Sequence, residues 1–349
     1  MRLDSRDIHL NDLETRSVGT RDNHFLPQFY LRRFAPDSDQ HRIYRFERQQ
    51  PYNITKGTGP QNPSLVSIKN AAAVEVDLYS YPRPDGTIDR TTYELALKRI
   101  EDAACPILMK LWNRQMITGD EKAILTRFIV QTKNRVPAHS DDFKLRTPSV
   151  LQGFKDRSPE AIEEMVSTWL VRLDVQEEDS DLWRSQLKEL YFSTLREMDE
   201  HGPSKKIQLE TMLVRADSML LVQKALNVMR WQFFTAPPDS YFVTSDNPVF
   251  IFKDGIGFQR PYSELVFPIS KYIALVASYH NVREGFVKAS SQRVKEIVRR
   301  VISNATSHVF SPRPERWVCS VLNKRAHRHG LIYDYSGDLD DVVSIEPRQ

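Results

Sequence analysis

Residues 23–34 read NHFLPQFYLRRF and place a histidine, a glutamine, a tyrosine and two arginines in one short apolar segment. Pro27 suits the first turn of a helix, because that position needs no backbone N–H donor. Gln28 and Arg32 are four residues apart and share one face of this predicted helix, with His24 just ahead of it. Imidazole titrates near neutral pH and guanidinium binds phosphate or carboxylate. The segment is a candidate site for proton transfer and anion binding; the alternative is a structural histidine beside solvated arginines.

Strand-forming sequence lies on both sides of a long helical block. Alternating or β-branched and aromatic residues predict strands at 42–48, 74–79, several places within 231–277, 308–310 and 317–321. Helical periodicity runs through 91–228 and returns at 291–303. We therefore predict an α+β fold in which two strand-rich segments flank a long helical block, with a mixed or antiparallel sheet packed on helices.

Two capping boxes are predicted within the helical block, at Thr91–Glu94 and at Thr118–Glu121. Each box has a threonine at the N-cap and a glutamate three residues later, whose side chains bind each other's backbone amides. This pairing accounts for both glutamates without a catalytic role.

The predicted boundaries place one domain between a loose N-terminal arm and an acidic tail. The arm covers 1–20, the single domain 21–335 and the tail 336–349. Within the domain, the predicted parts are the motif helix with its strands at 21–90, the helical block at 91–228 and a strand-rich part with one helix at 229–335. The helical block is also long enough to form a lobe of its own.

Composition excludes several protein classes. The chain has 349 residues, 40% of them hydrophobic, and a net charge of +3, which argues against a protein that coats DNA. Cys105 and Cys319 have no CxxC spacing, which argues against a disulfide scaffold or a cysteine zinc site. The first residues carry no apolar leader segment, and the most apolar run is too short to cross a bilayer. We expect a cytoplasmic protein without membrane contact.

Two later stretches add polar candidates. Gln131 and Arg135 continue an apolar stripe of the helix predicted over 120–135. A partly buried arginine there needs an anion; the alternative is that it caps carbonyls at the helix end or pairs with a glutamate. Ser245, Asp246 and Asn247 follow a hydrophobic strand, where a rigid sheet can present them to a ligand; the alternative is an Asx turn.

Metal and cofactor motifs give little signal. Glu75 and Asp77 share a strand face and could hold Mg²⁺ together with Asp246, although two acids on a strand face are more often solvated. The chain has no HExxH, P-loop, nucleophile elbow or dinucleotide fingerprint. We therefore expect neither a metal nor a cofactor.

Motifs along nearly the whole chain resemble the family catalogued as domain of unknown function 4238. They are H-x-x-PQFYLR-x-F at 24–34, Q-x-x-x-R-x-P at 131–137, TSDNP at 244–248, FPIS at 267–270, and Asn304 ahead of VFS at 309–311. Members commonly show Pro-Leu-Ser where this chain has Pro268-Ile269-Ser270. The resemblance implies a bacterial-type, single-domain protein. Because some relatives are associated with mobile elements and anti-phage defence, it also implies an effector role.

The residues themselves suggest an effector-type enzyme acting on a phosphate-bearing substrate, RNA or a nucleotide, without a metal. His24 is the predicted general acid or base, and Asp246 is predicted to position His24 or a water molecule. The predicted substrate-binding residues are Gln28, Arg32, Gln131, Arg135, Ser245 and Asn247. The alternative is a non-catalytic binding or sensor module in which the same residues form an anion-binding pocket. Convergence of His24, Arg135 and Asp246 in an open cleft would favour the enzyme.

Overall fold

A computed structural model describes five main stretches of the chain. They are residues 21–48, 62–138 apart from 71 and 84, 152–201 apart from 154, 173–177 and 179, 225–252 and 263–324, with single positions at 205, 209 and 223. The predicted arm, the predicted tail and most of a helix predicted over 208–228 lie outside the described residues. The chain divides into two compact units, residues 1–139 with 211–349 as one and 140–210 as the other.

The first strand-rich part contains the predicted motif helix and both predicted strands. Helix α1 (Gln28–Leu31) begins directly after Pro27 and continues as a 3₁₀ turn over Arg32–Phe34. The strands are β1 (Asp22–His24), β2 (Arg42–Glu47), β3 (Ser64–Ser67), β4 (Val74–Val76), β5 (Tyr81–Pro82) and β6 (Ile88–Asp89).

Two long helices follow, α2 (Thr92–Trp112) and α3 (Gly119–Asn134). The capping box of Thr118 and Glu121 at the start of α3 is confirmed. The box predicted for α2 is wrong, because the Thr91 side chain makes no capping bond. Asp89 caps this helix instead, its Oδ1 accepting the amides of Thr91 at 2.9 Å and Thr92 at 3.0 Å. Glu94 therefore has no capping role and its carboxylate binds elsewhere.

The second strand-rich part alternates strands with two helices. Its elements are β7 (Arg230–Thr235), β8 (Thr244–Ser245), β9 (Phe250–Phe252), β10 (Glu264–Ser270), β11 (Ile273–Ser278), β12 (Gly285–Lys288), α6 (Ser291–Asn304), β13 (His308–Ser311) and α7 (Arg316–Lys324). The numbers α4 and α5 are kept for the two helices of the other unit, which come earlier in the chain. Helix α6 confirms the prediction for 291–303. The strand predicted at 317–321 is wrong. Val318, Cys319 and Leu322 are buried at helical spacing in one apolar cluster with Ile297 of α6, so packing overrides local strand propensity.

Two sheets carry the fold of this unit and confirm the predicted α+β class. The four-stranded sheet has the order β3-β2-β13-β8, so the two strand-rich parts share it. The five-stranded sheet has the order β12-β7-β11-β10-β9. This sheet is mixed, because β12 runs parallel to β7, whereas the other neighbouring strands of the sheet pair antiparallel. Strand β1 pairs with β4, which sets Asn23 directly opposite Glu75.

The other unit contains α4 (Pro159–Arg172) and α5 (Ser180–His201). These helices pack through one apolar cluster. Its buried members are Ile162, Val166, Leu170, Leu187 and Tyr191. Among the helices that the structure describes, we find none with the length and apolar character needed to cross a membrane.

Candidate functional site

The predicted site residues of the N-terminal motif lie at or near the surface. His24 is partly buried, and its Nε2 lies 3.2 Å from the Ile68 carbonyl oxygen. Its neighbour Asn23 is fully buried, so the two side chains of strand β1 point to opposite faces. Arg32 is exposed, and its guanidinium donates to the Gln28 side chain at 3.4 Å, as their shared helix face predicts.

Asp246 is buried and clamps a turn that is distant in sequence. Its carboxylate accepts three successive backbone amides, those of Thr306 at 2.8 Å, Ser307 at 2.6 Å and His308 at 2.9 Å. Burial raises the pKa of Asp246, and the three amides act in the opposite direction. This contact is neither the local Asx turn nor the pairing with His24 that the sequence suggested. The histidine next to Asp246 is His308, whose Nδ1 is 3.9 Å from Oδ2.

The remaining residues of this motif support the same turn. Ser245 is buried, and its hydroxyl accepts the amide of Asn247 at 3.3 Å. The Asn304 side chain donates to the Asn247 carbonyl at 2.6 Å. On the other side of the turn, the Arg48 guanidinium donates to the carbonyls of Ala305 and Thr306. These contacts account for the TSDNP segment and Asn304 by their structural role.

Arg135 is the predicted site residue with the most distinctive surroundings. It is the C-cap of α3, one turn after the buried Gln131, and only 3% of its surface is exposed. Its Nη1 donates to a Glu101 carboxylate oxygen of α2 at 2.5 Å. Its Nε and Nη2 are also buried, and neither has a hydrogen-bond acceptor among the described residues. This is unusual, because buried polar groups in proteins nearly always have partners.

Asn23, Tyr79 and Glu94 join Arg135 and Glu101 in one polar group. We call these five residues the Arg135 cluster. The Tyr79 hydroxyl donates to the Arg135 carbonyl at 3.4 Å, and the Tyr79 amide donates to the Asn23 side chain at 3.2 Å. The other end of the Asn23 amide donates to Glu94 at 2.6 Å. The cluster therefore joins β1, the turn after β4, α2 and the end of α3.

Burial shifts the pKa of two groups in the Arg135 cluster. It raises the pKa of Glu94, which the hydrogen bond from Asn23 opposes and the nearby Glu101 reinforces. Burial also raises the pKa of Tyr79, and Arg135 opposes this shift. A raised pKa shifts a carboxyl group toward its protonated form.

The three residues that we expected to converge have different partners. His24 contacts Ile68, Arg135 contacts Glu101, and Asp246 contacts the turn at 306–308. No hydrogen bond or ion pair between described residues links any two of them directly. Nor do the described residues contain a group of three or more His, Cys, Asp or Glu side chains arranged to hold a metal ion. Asp77 instead pairs with Arg21 and Arg90. The catalytic roles of His24 and Asp246 stay predictions.

The family comparison agrees with the motifs. Residues 22–315 match the family model described as protein of unknown function DUF4238. The chain belongs to this family. No curated protein and no solved structure matches it. The DUF4238 match covers every predicted site residue and the whole Arg135 cluster.

Of the Arg135 cluster, sequence reasoning found Arg135 and missed Asn23, Tyr79, Glu94 and Glu101. Glu94 was assigned to a capping box that does not form, and Glu101 was not singled out. A signal was present, because Glu94 and Glu101 are seven residues apart and so lie on one stripe of α2. That stripe also contains the buried Leu97 and Leu108. Two carboxylates within an apolar stripe indicate a partner across the interface.

Proposed function

We propose that this DUF4238 protein binds a phosphate-bearing ligand, RNA or a nucleotide, at the Arg135 cluster. The observation that carries the proposal is the pair of buried Arg135 donors, Nε and Nη2, without an acceptor among the described residues. These two N–H groups form one edge of the planar guanidinium and point in the same direction, which matches two oxygens of one phosphate. An oxyanion bound at this edge would satisfy both donors at once.

Glu101 is the counter-charge of Arg135 in the free protein. It contacts Nη1, and its side chain is 24% exposed. A buried arginine without a counter-charge is costly. Because Glu101 occupies Nη1 alone, it stabilises Arg135 and leaves the Nε–Nη2 edge to the ligand oxyanion in this proposal.

A second function, cleavage of the bound phosphodiester, is favoured by Glu94. In the proposed step the ribose 2′-hydroxyl attacks phosphorus and gives its proton to Glu101, the P–O5′ bond breaks, and protonated Glu94 donates to the leaving 5′ oxygen. Arg135 would stabilise the negative charge that develops on phosphate, and burial shifts the pKa of Glu94 upward, toward the protonated form. This chemistry fits an effector nuclease in anti-phage defence, as the family resemblance implies, acting in the cytoplasm. In this proposal Glu94 replaces His24 as the general acid.

The test compares variants of Arg135 with a matched control. Wild type, Arg135→Leu, Arg135→Lys, His24→Ala and the exposed Arg99→Leu are expressed in cells, which are scored for growth arrest and for fragmented RNA. In parallel, binding of a short oligoribonucleotide is measured by calorimetry. We expect both Arg135 variants to lose binding and toxicity, and Arg99→Leu to retain them. Full binding by folded Arg135→Leu would overturn the proposal.

A further inference from the structure

The described surroundings of Arg135 contain more negative than positive charge. Glu101 contacts the guanidinium, and Glu94 and Glu75 act together with Glu101 on the Tyr79 hydroxyl. Glu75 is opposite Asn23 on the paired strands and so lies on the same face as the cluster. The cationic side chains of the adjoining turn, Arg21 and Arg90, are held by Asp77. An incoming anion therefore meets one guanidinium that is already partly neutralised.

This charge balance discriminates between kinds of phosphate. A terminal phosphate of a nucleoside mono- or triphosphate brings two or more negative charges beside these carboxylates, and repulsion is strong where water is excluded. A phosphodiester has a single negative charge and two non-bridging oxygens. Those two oxygens match the two available donors of Arg135, so the diester satisfies the site without adding uncompensated charge.

The carboxylates also offer hydrogen-bond acceptors beside the phosphate position. The Glu101 carboxylate contacts Arg135 Nη1, next to the Nε–Nη2 edge, and carboxylate oxygens bind hydroxyl donors well. In RNA the 2′-hydroxyl is a donor next to the phosphodiester, and DNA lacks it. An acceptor-rich site around one arginine is therefore suited to a ribose next to a diester.

We infer that the Arg135 cluster selects a ribonucleotide phosphodiester, with the non-bridging oxygens on Arg135 Nε and Nη2 and the 2′-hydroxyl on the Glu101 carboxylate. The inference rests on the proposed function and narrows its ligand from RNA or a nucleotide to the diester linkage of RNA. It makes nucleoside triphosphates and DNA poor ligands.

The test uses four small probes: the dinucleoside monophosphate UpU, its 2′-deoxy counterpart, UMP and UTP. Binding to the full chain is measured by ligand-observed NMR, with circular dichroism to confirm that each variant is folded. We expect UpU to bind best, and its deoxy counterpart to bind about five- to tenfold more weakly, the effect of one lost hydrogen bond. UMP and UTP should bind more weakly still. Arg135→Lys and Arg135→Leu should lose UpU, whereas Arg99→Leu should keep it.

The outcomes separate this inference from the proposed function. Two results would refute the selectivity: tighter binding of UTP than of UpU, or equal binding of UpU and its deoxy counterpart. If Arg135→Lys abolishes the binding in either case, the anion site itself still stands. If none of the probes binds, or if all bind equally to folded Arg135→Leu, the proposed function fails together with the inference. Glu101→Gln should narrow the difference in affinity between UpU and its deoxy counterpart; an unchanged difference in folded Glu101→Gln would also contradict the inference.

Discussion

The Tyr30 hydroxyl lies 2.8 Å from the Thr244 hydroxyl, 214 residues later in the chain, and donates to the Pro268 carbonyl at 2.8 Å. The Tyr30 ring also stacks on Phe267, with centroids 5.4 Å apart. Tyr30 therefore joins three of the DUF4238 motifs in one buried contact. These residues of the family pattern maintain the fold in this way.

Tyr30→Phe tests this structural role. The change keeps the ring and leaves the Thr244 hydroxyl and the Pro268 carbonyl without their buried partner. We expect the free energy of unfolding to fall by about 1–3 kcal/mol, measured by urea denaturation, with ligand binding unchanged in the folded protein. Tyr44→Phe is the control, because the Tyr44 hydroxyl has no hydrogen bond to a described residue. Equal stability of Tyr30→Phe and wild type would contradict the structural role.

The sequence predicted the local elements well, because helix periodicity and strand alternation are local signals. It also identified Arg135, whose position on the α3 stripe requires a charged partner. Pairing with a glutamate was one of the alternatives for Arg135, and the structure confirms it. Which glutamate could not be predicted, since Glu101 lies on another helix and nothing within α3 identifies it. Asp246 is similar, because the amides that it binds are 60 residues or more away. The α7 helix was missed because its burial depends on α6, which a local pattern does not contain.

Asp246→Asn separates a clamp from a catalytic group. If Asp246 only formed a local turn, asparagine would replace it without loss. Its carboxylate instead accepts three backbone amides, and the NH₂ group of asparagine must face at least one of those donors. We therefore expect a loss of about 1–3 kcal/mol in the free energy of unfolding, measured by denaturation. Binding at Arg135 should persist below the melting temperature. A fully stable variant without activity would instead support the catalytic role predicted for Asp246.

Asp89→Ala tests the cap that replaces the predicted Thr91 box. Burial raises the pKa of Asp89, but hydrogen bonds from Thr92 and Arg83 outweigh it and lower the pKa from 3.8 to about 2. Because the folded pKa is depressed, this stabilisation is complete above pH 3.8 and is lost as the pH falls toward 2. At neutral pH we expect a loss of about 1–2 kcal/mol. The difference in the free energy of unfolding between Asp89→Ala and wild type should shrink as the pH falls over this window, measured by denaturation at a series of acidic pH values. A constant difference would argue against the cap.

Glu94→Gln tests the raised pKa of Glu94 in the Arg135 cluster. Glutamine keeps the oxygen that accepts from Asn23 and cannot ionise. Since the folded pKa of Glu94 is raised, its stabilising contribution is complete below pH 4.5 and is lost as the pH rises through the folded value. Wild type should therefore lose stability relative to Glu94→Gln as the pH increases over that window, measured by thermal unfolding. Among the described residues, Asn23 donates to the Glu94 carboxyl, and Glu101 and Tyr79 interact with it electrostatically. A difference in thermal stability between wild type and Glu94→Gln that does not change with pH would contradict the role of Glu94 as the proposed general acid.

Phosphate binding at Arg135 can be observed directly through the Nε–H resonance of this residue in a ¹H–¹⁵N NMR spectrum, assigned by its disappearance in Arg135→Lys. We expect UpU to shift this resonance in a saturable manner and to slow exchange of its proton with water, because a phosphate oxygen then accepts the hydrogen bond. Arg99→Leu should give the same response. If UpU binds while the Arg135 resonance stays in place, the ligand site lies elsewhere and Arg135 is not the phosphate-binding group.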